Sequence, residues 1–146
     1  MQQMCELSQG VWIVYLTCLS VIDIRTRKIP IWLLSAGGIT AIVMQIWKSL
    51  KGTSISPLLI VAGAAVGISF LGISKITREA FGYGDGIVIL ILGICLGLWD
   101  LLIVLMVSFL GASLIAILLL VWSKGTKKQS MPFIPFLCIG YVAVIL

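Results

Sequence analysis

The sequence predicts an all-α polytopic membrane protein: six transmembrane helices with both termini on the extracytoplasmic side. Three observations carry this. Of 146 residues, 61% are hydrophobic and 10% charged, with a mean hydropathy of +1.24. Soluble domains average about 45–50% apolar and about 25% charged, and so short a chain cannot bury that much apolar surface in a core. The apolar residues also gather into six runs, and most basic residues fall in alternate gaps between them.

The runs are Leu7–Ile22, Ile29–Trp47, Ile55–Ile76, Gly86–Trp99, Leu101–Trp122 and Pro132–Leu146. Each lies near the roughly 20 residues that a helix needs to cross a bilayer, where backbone groups must pair internally. The first, fourth and last runs are short, so their helices are expected to extend into polar neighbours. Arg25, Arg27 and Lys28 follow the first run, Lys75 and Arg78 the third, and Lys124, Lys127 and Lys128 the fifth; only Lys48 and Lys51 lie on the other side. That asymmetry places the three basic loops in the cytoplasm and both termini outside. Trp12, Trp32, Trp47, Trp99 and Trp122 stand near run ends, as interfacial anchors would. Met1–Gly10 lacks a basic n-region and no small-residue cleavage site follows the first run, so that run is expected to stay in the mature protein.

The net charge of +5 therefore points to loops facing anionic lipid. A nucleic-acid partner is not expected, because no single element carries a basic stripe. Histidine is absent, which excludes Ser-His-Asp triads, Cys-His dyads and histidine zinc sites. Cys5, Cys18, Cys95 and Cys138 form no Cys-x-x-Cys pair, so neither a metal site nor a redox motif is expected. No cofactor is implied. Gly63-x-x-x-Gly67 and Gly93-x-x-x-Gly97 match the small-xxx-small pattern of close helix approach. We read them as intramolecular packing, with a homodimer face as the alternative.

The chemistry must then rest on the five acids: Glu6, Asp23, Glu79, Asp85 and Asp100. An ionisable group at membrane depth costs about 2.5–3.5 kcal/mol on insertion scales, so position decides their meaning. Glu6 and Asp100 sit at external helix ends, Asp100 placed to cap the fifth run. Glu79 sits among Lys75 and Arg78 in a short cytoplasmic loop and is read as solvated. Asp23 closes the first run and Asp85 opens the fourth, and alternation puts both at one depth just inside the cytoplasmic boundary. Two such carboxyls can share a proton, one serving as base and the other as acid. An ordinary helix-end role for each aspartate is the structural alternative. Gly82, Gly84 and Gly86 surround Asp85 and would allow positive φ and close backbone approach, shaping a site for an extended peptide. A P-loop is not supported, since its Lys and Ser/Thr are missing.

Gly82-Tyr83-Gly84-Asp85 is a G-x-G-D motif, Asp23 to Ile29-Pro30 matches D-x-x-x-x-x-I-P, and Met131-Pro132-Phe133-Ile134-Pro135-Phe136-Leu137 contains P-F-x-P-F-L. In that order, across six apolar runs, the chain resembles the type IV prepilin peptidase family and its preflagellin relatives. The resemblance implies a membrane-embedded aspartic endopeptidase of the cell membrane. It would cleave the basic N-terminal leader from pilin-like precursors at the cytoplasmic face, just before a hydrophobic helix. Carried over by motif, Asp23 and Asp85 would be the catalytic pair, Gly82 and Gly84 would shape the site, and Pro132 and Pro135 would form a bend beside it. Ile31, Ile87 and Ile134 stand where many members carry Asn, Lys and Gly. The cysteine-paired methyltransferase region of larger members has no counterpart, so residues 1–146 are expected to form a single peptidase domain. Glu79 is the acid nearest to meet a cationic leader. Two rival readings use other chemistry: a small proton-coupled transporter relaying ions through the same aspartates, and a non-catalytic membrane assembly factor using the glycine faces.

Overall fold

The computed structural model describes residues 2–26, 28–52, 55–77, 82–122 and 132–146. All the regular structure among them is helical: α1 (Gln2–Thr26), α2 (Ile31–Leu50), α3 (Pro57–Ile76), α4 (Tyr83–Leu96), α5 (Leu98–Trp122) and α6 (Ile134–Ile145). Stretches of α1, α2, α3 and α5, 20 to 25 residues long, are apolar and long enough to cross a membrane. Large apolar side chains cover the outside, among them Ile39, Val61, Met106 and Leu118, each at least 60% exposed. Such a surface is suited to lipid and not to water. The chain is a membrane protein.

Prolines and glycines set the helix boundaries. Pro30 (φ −66°) precedes α2 and Pro57 opens α3. Proline there loses no helical hydrogen bond and has its φ preset. Gly97, at φ +79°, separates α4 from α5 with a left-handed residue that only glycine adopts freely. Asp100 is therefore not the cap of the fifth segment. It lies in the first turn of α5, exposed, where a carboxylate still meets the positive helix end.

The short runs behave differently from one another. The first extends as expected, to a 25-residue α1. The fourth extends at its start, taking in Tyr83, Gly84 and Asp85, but ends at Leu96, so α4 has 14 residues; the sixth does not extend, and α6 has 12. These are about 21 Å and about 18 Å of helix, against a hydrocarbon core of about 30 Å. Gly82 begins α4 and the Pro-Phe steps begin α6, so each helix is stopped by its own motif.

Packing places α4 at the centre, against α2, α3 and α5, while α1 packs on α6 and α6 on α5. The α3–α4 seam is backbone against backbone. A Cβ at Gly63 would stand 2.5 Å from the Gly93 carbonyl oxygen, one at Gly93 would overlap the Gly63 carbonyl, and one at Gly67 would overlap Leu90. Gly63, Gly67 and Gly93 thus serve close packing inside the fold, whereas Gly97 serves the chain break. Gly140 plays the same part between α6 and α5, with Val104 and Ser108 beneath it. Trp12 is not an interfacial anchor. It is 5% exposed and meets Tyr15 edge-on at 5.5 Å, because its position on α1 faces the core. Trp32, Trp47, Trp99 and Trp122 are exposed near helix ends.

Candidate active site

Asp23 and Asp85 are reached from opposite directions along the chain. Asp23 lies three residues before the end of α1 and Asp85 is the third residue of α4. The antiparallel register of α3 and α4, fixed by Gly63 on Gly93 and by Leu71 on Gly86, puts Asp85 level with Gly72. Each carboxyl is therefore about one helical turn, about 5–6 Å, inside the end of the helix that carries it or flanks it. Both are buried, at 8% and 9% exposure. Oδ2 of Asp23 is enclosed with no hydrogen-bond partner among the described residues. A buried carboxylate oxygen normally has one, so this atom is an acceptor free to take a donor.

The glycines around Asp85 act by their size. Among the described residues, positive φ occurs at Gly52 and Gly97 and not at Gly82, Gly84 or Gly86. Each of those three is instead a place where a Cβ would collide. At Gly82 it would stand 2.9 Å from Asp85 Oδ2, at Gly84 2.5 Å from Ile29 Cδ1, and at Gly86 2.8 Å from Leu71 Cδ2. Gly82 thus keeps the carboxylate clear, and Gly84 and Gly86 let α4 settle against its neighbours.

The helix that begins at the Pro-Phe steps packs on α1. Thr17 of α1 and Cys138 of α6 approach to 3.7 Å. Counting equal steps along the two antiparallel helices brings Pro132 to the level of Asp23. Pro132 precedes α6, Pro135 sits in its first turn, and Phe133 between them is 8% exposed. The prolines start the helix without losing a hydrogen bond, and Phe133 plugs the interior against Phe109 at 5.1 Å. Ile134 is fully buried while Ile31 is 83% exposed. Glu79, named above for leader contact, lies outside the described residues.

Sequence reasoning gave Ile29 no role beyond its motif. Its side chain lies on Gly84, so the Ile-Pro step of one motif touches the glycine of another. An apolar residue in an apolar run carries no chemical mark. The available signal was its fixed place just before a proline, which confines it to an extended backbone.

Neither the curated proteins nor the solved structures contain a significant match. A sequence model of the type IV leader peptidase family does match, over residues 10–121. That stretch takes in Asp23, the Ile29-Pro30 step and Gly82 to Asp85, and it stops short of the Pro-Phe motif. It covers well over half of the chain's 146 residues, and the chain belongs to the type IV leader peptidase family.

Proposed function

We propose that the chain is an aspartic endopeptidase of the cell membrane that removes the N-terminal leader of type IV pilin-like precursors at the cytoplasmic face. In this reading residues 1–146 act as one unit crossing the bilayer six times, with both termini outside and Asp23 and Asp85 at the inner boundary. One observation carries it: the chain buries two carboxyls from distant stretches, Asp23 and Asp85, Ile29 of the first stretch lies on Gly84 beside the second, and one oxygen of Asp23 has no hydrogen-bond partner among the described residues. A pair of this kind is costly in lipid unless it has work to do.

The chemistry follows from the pair. With one proton between them, the ionised aspartate takes a proton from water while the protonated one gives its proton to the scissile carbonyl oxygen. The water oxygen adds to the carbonyl carbon, giving a tetrahedral diol. Its collapse breaks the C–N bond, and the departing amine takes up a proton from the dyad. No covalent enzyme intermediate forms. The missing side chain at Gly82 keeps the Asp85 carboxylate clear for the substrate.

Co-expression with a pilin-like precursor bearing a basic leader tests the reading. The expected product begins at the hydrophobic segment and appears only when this chain is present. An intact precursor would overturn it; aspartate-dependent proton flux through liposomes would then favour the transporter, and neither activity the non-catalytic assembly factor.

A further inference from the structure

α1 and α4 share little direct packing, so something else must set how far Asp23 stands from Asp85. The link between α1 and α2 supplies it, and it is tied at three points. At its start, Thr26 Oγ1 lies 2.8 Å from the carbonyl oxygens of both Ile22 and Lys28. At its end, the Tyr15 hydroxyl donates to the Leu33 carbonyl at 3.0 Å. The Tyr15 phenol lies where a Cβ on Gly37 would overlap it, so α2 is drawn close to α1. In the middle, Ile29 lies on Gly84: a Cβ there would stand 2.5 Å from Cδ1 and 3.3 Å from Cγ1. Pro30, at φ −66°, holds Ile29 extended. Gly84 immediately precedes Asp85.

We propose that Ile29 is a positioning residue: seated on Gly84 and held there by the Tyr15–Leu33 bond, it sets the gap between the two acids. The inference rests on the reading that those acids work as a pair. It gives the Ile-Pro step a physical task, since the Ile29–Gly84 contact ties the segment after Asp23 to the residue before Asp85.

The test is kinetics of precursor cleavage in liposomes for Gly84→Ala, Ile29→Val, the two combined, Tyr15→Phe and Asp23→Asn, each checked for folding by its thermal transition. An alanine methyl at 84 would stand 2.5 Å from Ile29 Cδ1 and 3.3 Å from Cγ1; with Ile29 held in place the contact moves the backbone beside Asp85, and a misplacement of about 1 Å costs about 10–100-fold in a positioned reaction. Gly84→Ala should therefore lower kcat by about that factor with KM unchanged, and alter the pH profile of kcat because the acids share a proton differently. Ile29→Val deletes Cδ1 and should lower kcat a few-fold. In the double variant the added methyl replaces the deleted one, and kcat should recover most of what Gly84→Ala lost. A folded double variant no better than Gly84→Ala would overturn the proposal. Should Gly84→Ala fail to fold, Ile29→Ala and Tyr15→Phe decide: both should lower kcat and alter the pH profile, and wild-type values in both would overturn it. Loss of cleavage in Asp23→Asn with no rescue at 84 refutes only the positioning role. Full cleavage by Asp23→Asn refutes the dyad reading itself, and the inference with it.

Discussion

Asp23→Asn and Asp85→Asn are each expected to lower leader removal by at least about 10³-fold, with the double variant no worse than either single one. Positioned general acid–base groups contribute about 10²–10⁴-fold apiece, but these two act as one unit. Either loss leaves a site with an acid and no base, or the reverse. Residues that act together show such non-additivity. Asparagine keeps the shape, so the fold persists. It also removes an ionisable group from a site where each acid is no more than 9% exposed. The variants should therefore melt at or above the wild-type temperature in detergent, the usual trade between a strained site and stability. Wild-type cleavage should be bell-shaped in pH, since one acid must be protonated and one ionised. Steady-state cleavage with a purified precursor, alongside thermal melts, checks both halves. Full activity in either single variant would refute the assignment.

Gly63→Val is expected to have the largest effect on stability, at least about 3 kcal/mol. Its Cβ would stand 2.5 Å from the Gly93 carbonyl oxygen and 3.1 Å from the carbonyl carbon. Both atoms are backbone and cannot swing aside, so α3 and α4 must part along the seam that centres the fold. Overpacking in a well-filled interior already costs about 1–3 kcal/mol for smaller insertions. Gly72→Ala, on the same helix, is the control. Nothing lies within 4 Å of the position its Cβ would take, so it should be neutral or gain up to about 1 kcal/mol from helix propensity. Unfolding of both variants in micelles measures the difference. Equal destabilisation would mean that the seam does not depend on contact at Gly63.

The acids were legible in the sequence because charge inside an apolar run is expensive, and because alternation of the runs fixes which end of a helix each acid occupies. The existence of the helices was legible for the same reason. Their lengths were not. Apolar residues continue past Gly97 and before Ile134, and hydropathy does not register a left-handed glycine or a proline pair that stops a helix. Trp12 shows a second blind spot. Tryptophan near a run end suits both an interface and a core, and only the direction of its helix face decides. At Gly82, Gly84 and Gly86 the two expectations part: positive φ does not occur there, while close approach does. What the site uses is the missing Cβ, which matters only once Asp85, Ile29 and Leu71 are known to be neighbours. Ile29 itself was invisible, being an isoleucine among isoleucines.

The most direct test is chemical. In a version with Cys5, Cys18, Cys95 and Cys138 replaced by alanine, Asp23→Cys and Asp85→Cys are introduced together and treated in native membranes with a short bifunctional thiol reagent. Two acids flanking one water should yield an internal cross-link, with both thiols reached from the cytoplasmic face. Separate labelling without a cross-link, or labelling from opposite faces of the membrane, would contradict a shared site.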